Sequence, residues 1–347
     1  MKQLIEQLCA TLDEGQDVVL ATVCSQSGST PRMAGARMLV HRDGRIRGTV
    51  GGGVAEAAVI RAAATCFDNR SPRQYTFDLV SDGAAPGGML CGGRLTCCLE
   101  YIAADPCNRA VFHHLLAALQ AGRRTLLVSP LDAGSNDARF LVDLKDGTAV
   151  PEIPAEVFTA VRQLAPAAVI LFTAAGRSYL AASFAAGGTL TLIGAGHVAA
   201  CTAEAAARVG YRVVVLDDRA EFATRERFPL ADEIRVLPSF AGCLHEQEVD
   251  GDTCLVIATR SHQHDLEVLA QALQTGAGYI GMIGSRRKRD TIFARLADRG
   301  VTAAQLEQVH CPIGLHIGAE TPEEIAVAIV GELIQHRAAT RKQSRPA

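Results

Sequence analysis

The sequence predicts an α/β protein, with an N-terminal α/β domain followed by a C-terminal Rossmann-like, doubly wound parallel sheet. An apolar run at residues 189–193 ends in a turn that holds Gly194 and Gly196, and a small-residue helical pattern follows. A second β-branched run then ends at Asp217. Strand, glycine turn, helix, strand and acid follow in the order of a dinucleotide-binding βαβ unit.

Each position of this unit has a physical role. Gly194 permits the tight turn, Gly196 lets the backbone approach a pyrophosphate, and Ala199 takes the third, small position. His197 opens the helix, whose first N–H groups attract an anion. Asp217 stands where a ribose 2′-hydroxyl would be read. We therefore predict cofactor binding here; NAD(P), another nucleotide, or no nucleotide remain open.

Composition excludes several functional classes. The 347 residues suit about two domains, and 48% of them are hydrophobic. A net charge of −3 argues against nucleic-acid binding. No apolar run reaches the length of about 18 residues that a membrane helix needs, and residues 1–15 lack the layout of a signal peptide. The eleven cysteines contain no CxxC pair, which favours free thiols in a reducing compartment. We expect a cytoplasmic protein.

The N-terminal domain begins with alternating helix and strand patterns. Residues 2–15 form an amphipathic helical pattern, and residues 18–24 and 37–40 read as strands. Asp43 and Gly44 indicate a hairpin turn after the second strand.

Three consecutive glycines, Gly51, Gly52 and Gly53, precede a helical pattern over residues 54–66, with Glu56 in its first turn. Glycine costs conformational entropy, so three of them suit a place where the backbone passes close to another group. An anion is one such group. A tight strand-to-helix turn with nothing bound explains the glycines equally well.

Cys91 stands between glycines, in a segment that reads as a loop. An accessible thiol near a helix end or a cation has a lowered pKa and is a usable nucleophile. The alternative is a small residue tolerated in a turn. We favour the functional interpretation.

The domain boundary falls near Gly187, because the Rossmann pattern starts directly after it. We predict domains at 1–185 and 186–335, with 105–185 poorly defined, and a disordered basic tail at 336–347. Thr321 and Glu324 form a capping-box pattern at the start of the last helix.

A basic turn follows the apolar strand at residues 279–283. Arg286, Arg287 and Lys288 occupy a strand-to-helix turn, where the helix macrodipole disfavours positive charge. An anionic ligand would compensate for this cost. We therefore assign Arg286 and Arg287 to the cofactor site.

Two histidines, His262 and His264, follow the strand at residues 254–258, with Asp265 next to them. Their spacing matches no compact zinc pattern, so we interpret them as loop histidines and predict no metal site.

Seven motifs stand out across the two ends of the chain: GSTPRMAGARMLV (28–40), GTVGGGVAE (48–56), CGG (91–93), LIGAGHVA (192–199), DDRAEFATRERFP (217–229), YIGMIGSRRK (279–288) and PIGLHIGAETPEEIA (312–326). Together they resemble the XdhC/CoxI family, in particular the accessory (maturation) protein of xanthine dehydrogenase. The resemblance implies a protein that binds the molybdenum cofactor, protects it, presents it for sulfuration by a cysteine desulfurase and delivers it to apo-xanthine dehydrogenase. It also implies a chaperone rather than a catalyst, in which Cys91 would relay sulfur or contact molybdenum.

One position departs from the family pattern, and another has no role in it. Many relatives carry cysteine directly after the three-residue glycine turn, where this chain has Val54, so a thiol role there is excluded. His316 matches no position to which the family gives a fixed role.

Two other functions remain open. An NAD(P)-dependent oxidoreductase would use the βαβ unit, although no convincing general acid accompanies it. A nucleotidyltransferase acting on molybdopterin would need a Mg²⁺-binding carboxylate pair, for which Asp217 and Asp218 are available. We also expect a homodimer, since Ala-rich surfaces could be buried between two copies.

Overall fold

The computed structural model describes residues 1–27, 34–78, 93–132, 138–164, 167–185 and 187–343. The chain divides into two compact units, Met1–Ala185 and Ala186–Ala347. No helix among the described residues combines the length and the apolar character that crossing a bilayer would require.

The first unit contains two antiparallel five-stranded sheets. The first sheet has the strand order β3-β2-β1-β5-β4, and the second has the order β8-β7-β6-β10-β9. The strands of the first sheet are β1 Val18–Ser27, β2 Arg37–His41, β3 Ile46–Gly48, β4 Arg73–Asp78 and β5 Arg94–Ile102. Those of the second are β6 Arg124–Pro130, β7 Phe140–Asp143, β8 Ala149–Val150, β9 Val169–Ala174 and β10 Arg177–Ala185.

Both faces of β1 are buried, which explains its almost continuous apolar sequence. Val18 and Leu20 belong to a core shared by one face of each sheet and two helices, whereas Val19 and Val23 face a different helix. Residues one apart on a strand point to opposite faces, so each face receives alternate side chains. The helices of this unit are α1 Lys2–Asp13, α2 Gly53–Asn69, α3 Pro106–Gln120 and α4 Ala155–Arg162, of which α1 and α3 line the shared core and α2 packs on the outer face.

The second unit is built on a six-stranded parallel sheet with the order β13-β12-β11-β14-β15-β16. The chain runs outward from β11 to one edge and then returns to β14, so the order reverses between β11 and β14. This is the strand order of a doubly wound Rossmann sheet, and the predicted fold class is confirmed. The strands are β11 Thr189–Ile193, β12 Arg212–Asp217, β13 Glu233–Val236, β14 Thr253–Ile257, β15 Tyr279–Met282 and β16 Val309–His310.

Helices cover both faces of this sheet. One face packs against α5 and α9, and the other packs against α6 and α7. The helix bounds are α5 His197–Arg208, α6 His262–Ala272, α7 Arg286–Ala297, α8 Ala303–Leu306 and α9 Pro322–Gln343. At the start of α9 the Thr321 N–H donates to Glu324 and the Glu324 N–H donates to the Thr321 hydroxyl, so the predicted capping box is confirmed.

The prediction of a disordered tail from residue 336 is wrong over residues 336–343. Helix α9 continues to Gln343, and Arg337 within this stretch has tertiary partners. The Arg337 guanidinium donates to the Gly187 carbonyl at 3.2 Å and lies 4.7 Å from the centre of the Tyr211 ring. A basic composition alone does not reveal such contacts. Residues 344–347 lie outside the described part of the chain.

Candidate cofactor-binding site

The carboxyl edge of the parallel sheet gathers most of the residues predicted to bind a cofactor. Gly194, Gly196 and His197 follow β11, and Arg286 and Arg287 follow β15. Strand β14 separates these two turns, and two strand spacings amount to about 10 Å. The doubly wound topology therefore places both turns at the same edge of the sheet, on either side of β14. We call this edge, beside the switch point where doubly wound folds bind ligands, the crevice.

The two glycines of the first turn serve different purposes. Gly194 has φ of +114°, and a Cβ at this position would lie 2.2 Å from the carbonyl oxygen of Ala258. Close packing of β11 against the end of β14 therefore requires Gly194. Gly196 has open space where a Cβ would stand and begins α5 without a side-chain cap. His197 is exposed at the same helix end. The first turn of α5 can therefore receive an anion.

Asp217 accepts hydrogen bonds from neighbouring residues of the protein. Its carboxylate is buried, with the residue 1% exposed, and accepts the Ala195 N–H at 2.7 Å. The Arg219 backbone N–H and guanidinium also donate to it, each at 2.9 Å. A ribose hydroxyl could reach Asp217 only by displacing Arg219. The acid fixes the glycine turn instead of facing the crevice.

Asp218 is likewise paired. Both of its carboxylate oxygens accept hydrogen bonds from the Arg260 guanidinium, which follows β14. These hydrogen bonds lower the pKa of Asp218. Asp217 and Asp218 therefore each face an arginine, and the pair is not arranged to share a divalent cation.

Arg286 and Arg287 have exposed side chains at the start of α7. Across the described part of the chain, neither guanidinium has a hydrogen-bond or ion-pair partner. The Ser285 hydroxyl caps the helix by accepting the Lys288 N–H at 3.2 Å. Two unpaired guanidinium groups thus project from a helix end where positive charge is disfavoured.

Lys288, the third member of the basic turn, contacts other residues of the protein. Its ammonium lies 2.5 Å from the Asp265 carboxylate and donates to the Ile283 carbonyl at 2.8 Å. Asp265 is fully buried and also accepts the Thr259 hydroxyl at 2.7 Å. This pair joins the turn after β14 to the turn after β15, so it positions the crevice and does not offer a charge to a ligand.

The two histidines after β14 have different surroundings. His264 packs against Phe240, with ring centres 5.0 Å apart, while His262 is exposed at the start of α6. Among the residues that the structure describes, no three histidine, cysteine or acidic side chains are grouped as metal ligands would be.

In the glycine turn of the first unit, the backbone N–H of Gly52 is bound by Glu56 of the following helix. Glu56 accepts the Gly52 N–H at 3.1 Å and the Thr49 hydroxyl, and the Gly51 N–H donates to Thr49 at 3.1 Å. Gly52 and Gly53 have positive φ and open space where a Cβ would stand. The Glu56 carboxylate takes the place that an external anion would occupy. The geometry gives the turn a structural explanation, and binding by Gly51, Gly52, Gly53 and Glu56 stays a prediction.

Cys91 lies outside the described residues, so its role also stays a prediction. Val54 is 53% exposed directly after the glycine turn.

The comparisons with known proteins match both units. The XdhC Rossmann domain matches residues 190–333, and the XdhC and CoxI family matches residues 11–78. The chain belongs to the XdhC and CoxI family. The resemblance inferred from the motifs is thereby confirmed, and the XdhC Rossmann domain coincides with the parallel sheet that carries the crevice.

Individual members of the curated proteins match this chain over most of its length. A protein of Bacillus subtilis (strain 168), named as a probable subunit of xanthine dehydrogenase, is 28% identical over 333 residues, or 95% of this chain and 96% of that one. The molybdenum cofactor insertion chaperone PaoD of Escherichia coli (strain K12) is 23% identical over 333 residues, covering 94% and 85%. YqeB of the same strain is 26% identical over 316 residues, or 91% of this chain, which spans only 43% of YqeB.

A solved structure is similar to this chain over nearly its whole length. The crystal structure of a xanthine dehydrogenase from Bacillus halodurans aligns with a TM-score of 0.79 at 27% identity, covering 99% of this chain and 98% of that one.

Glu332 fixes one further loop of the XdhC Rossmann domain. This α9 side chain accepts hydrogen bonds from the Gly314 N–H and, at 3.0 Å, from the Tyr279 hydroxyl. The Nδ1 atom of His310 lies 2.6 Å from the same carboxylate. Burial alone would raise the pKa of Glu332, but the partners together hold it below the ordinary value. Sequence patterns missed this residue because it looks like any acid on an amphipathic helix; only its three partners reveal it.

His336 joins this cluster, with its ring centre 5.2 Å from that of Tyr279, and makes the protein sensitive to acid. Burial, and then the nearby charge of His310, lower the pKa of His336 from its ordinary value of 6.5. Its folded pKa is depressed, so its contribution to stability is present above about pH 6.5 and is lost as the pH falls through the folded pKa. We expect the free energy of unfolding to decline from pH 7 to pH 5 in urea titrations, and His336→Gln to flatten that decline. An unchanged slope in the variant would contradict this assignment.

Proposed function

We propose that this chain is a cytoplasmic maturation chaperone that binds the molybdenum cofactor in the crevice of its Rossmann domain. The observation that carries the proposal is the pair of exposed guanidinium groups of Arg286 and Arg287, unpartnered among the described residues, on the same sheet edge as the uncapped start of α5. The name of the relative PaoD, a molybdenum cofactor insertion chaperone, supports the same role.

The chemistry of the cofactor suits this crevice. Molybdopterin carries a phosphate ester and a flat, polar pterin. Guanidinium groups bind phosphate through two parallel hydrogen bonds, and a helix N-terminus offers backbone N–H groups to an anion. A phosphate on Arg286 and Arg287 would leave about 10 Å of sheet edge towards Gly196 for the pterin.

The two alternative functions receive less support from the geometry. Asp217 is occupied by Ala195 and Arg219, so the usual contact with an NAD ribose is blocked. Asp217 and Asp218 each pair with an arginine, which leaves no open carboxylate pair at these two positions for the Mg²⁺ of a nucleotidyltransferase.

The finer steps follow the family resemblance. The protein would hold the cofactor while a cysteine desulfurase supplies sulfur, with Cys91 as relay or molybdenum contact, and would deliver the product to apo-xanthine dehydrogenase. The Bacillus subtilis relative, whose name refers to xanthine dehydrogenase, supports that client enzyme. A homodimer would be the working form.

Anaerobic gel filtration with molybdenum cofactor tests the binding step. We expect co-elution of molybdenum and pterin with the protein. Arg286→Ala/Arg287→Ala should weaken binding by at least about 100-fold, because charge-assisted hydrogen bonds contribute roughly 1.5–3 kcal/mol each. Arg295→Ala is the matched control, since Arg295 is also exposed but lies in the last turn of α7.

Two results would overturn the proposal. One is retention of NAD(P)H by the purified protein without cofactor co-elution. The other is equal cofactor binding by the double variant and the Arg295→Ala control, which would remove the crevice from the binding site.

A further inference from the structure

An ion pair crosses the carboxyl edge of the parallel sheet beside the glycine turn of α5. The Arg260 guanidinium donates to both carboxylate oxygens of Asp218, and its Nη2 atom lies 2.7 Å from Oδ2. Asp218 follows β12 and Arg260 follows β14, while β11 lies between these two strands. The pair therefore joins strand ends that are two strand spacings, or about 10 Å, apart.

Backbone contacts place this pair directly beyond the start of the glycine turn. On one side, the Gly194 N–H donates to the Leu216 carbonyl of β12 at 2.7 Å. On the other side, the Ala258 N–H donates to the last carbonyl of β11 at 2.8 Å. Asp218 and Arg260 each lie two residues beyond these contacts. Their ion pair thus spans the turn from one side to the other, at the end of the crevice where α5 begins.

This pair is more accessible than the other ion pair that joins two strand ends of the crevice. The side chains of Arg260 and Asp218 are 40% and 15% exposed, whereas those of Lys288 and Asp265 are 16% and 0% exposed. Water and salt weaken an ion pair whose cation is as exposed as Arg260. Because Asp218 also reaches solvent, opening of its pair leaves no fully buried charge without a partner.

The backbone on both sides of Arg260 is held in place, so its partner can change by rotation of the side chain alone. The Thr259 hydroxyl donates to the buried Asp265 carboxylate at 2.7 Å, and the Ser261 side chain caps α6. Strand β14 lies next to β11 on one side and next to β15 on the other, each at about 5 Å. A guanidinium released from Asp218 can therefore turn to an anion bound between the starts of α5 and α7.

We propose that Arg260 is a third anion-binding guanidinium of the crevice, and that it leaves Asp218 when a phosphate group of the ligand takes the place of the carboxylate. The choice of a phosphate ligand rests on the proposed function. Guanidinium binds carboxylate and phosphate through the same paired hydrogen bonds, so the exchange needs no other change in Arg260. Their mutual hydrogen bonds lower the pKa of Asp218 and raise that of Arg260, so both groups keep their charge and no proton moves.

Titration calorimetry of the full chain with inorganic pyrophosphate tests this exchange. Asp218→Asn removes the charge that holds Arg260, so we expect it to bind pyrophosphate about threefold more tightly than the wild type does, as suits an exposed ion pair. Arg260→Met removes the guanidinium and should weaken binding at least about tenfold.

Glu221→Gln is the matched control for Asp218→Asn. Glu221 is an exposed acid three residues further along the same loop, so the variant removes one negative charge without releasing Arg260. We expect a smaller gain in affinity than Asp218→Asn gives. In an Arg260→Met background, Asp218→Asn should give no larger gain than Glu221→Gln, because no guanidinium remains to be released.

The sign of the two single effects distinguishes exchange from a structural ion pair. A structural pair would make Asp218→Asn and Arg260→Met lose affinity together, because each would loosen the same two strand ends. The proposal fails with that result, with equal gains from Asp218→Asn and Glu221→Gln, or if the wild type does not bind pyrophosphate.

Anaerobic gel filtration with molybdenum cofactor separates this proposal from the proposed function. If the expected pyrophosphate pattern appears without co-elution of the cofactor, the exchange at Arg260 stands and the cofactor is not the ligand. If the cofactor co-elutes equally with the wild type, Asp218→Asn and Arg260→Met, the cofactor function stands and the exchange is overturned.

Discussion

Gly194→Ala should unfold the Rossmann unit more readily than any other single methyl addition in the crevice. The new Cβ would stand 2.2 Å from the Ala258 carbonyl oxygen, and φ of +114° is unfavourable for alanine. Backbone strain and overpacking each cost roughly 1–3 kcal/mol, so we expect a loss of about 4 kcal/mol. Urea denaturation of the full chain measures the loss, and hydrogen exchange assigns it to residues 187–343.

Gly196→Ala is the matched control on the same turn. Its added methyl group meets nothing within 4 Å, and its φ of −73° suits alanine. We expect a change in stability below about 1 kcal/mol. The same variant should weaken cofactor binding, because the methyl group covers the start of α5. Equal destabilisation by the two variants would show that strand packing does not explain Gly194.

Lys288→Met should be similarly destabilising for an electrostatic reason. It removes the cation that lies 2.5 Å from Asp265, a fully buried carboxylate. Breaking a buried ion pair on one side costs roughly 3–5 kcal/mol, because the remaining charge is left without compensation. The measurement is again urea denaturation, with the change localised by hydrogen exchange in the turns after β14 and β15.

Arg287→Met controls for loss of one positive charge in the same turn. Its side chain is exposed and unpartnered among the described residues, so stability should stay within about 0.5 kcal/mol. The double variant Asp265→Leu/Lys288→Met should lose less stability than Lys288→Met, because no buried charge remains unpaired. A Lys288→Met protein as stable as Arg287→Met would refute the positioning role of the pair.

The sequence could predict which strand ends would meet. Apolar runs that end in Gly194 and in the basic turn of Arg286 identify two carboxyl ends of parallel strands, and such ends share one edge. It could not predict which polar side chains stay available. Lys288 and Arg287 are neighbours of the same charge, yet Lys288 points to Asp265 and Arg287 to solvent.

By itself, the sequence determined the fold class, the family and which turns meet at one edge of the parallel sheet, because hydrophobic periodicity and glycine turns are local properties of the chain. Only the tertiary structure decided that Asp217 is occupied by Arg219, that Glu56 fills its own glycine turn and that α9 continues past residue 336. Those outcomes depend on where the backbone and side chains point in three dimensions, which local sequence patterns do not give. A carboxylate that already accepts hydrogen bonds from the protein cannot offer the same atoms to a ligand.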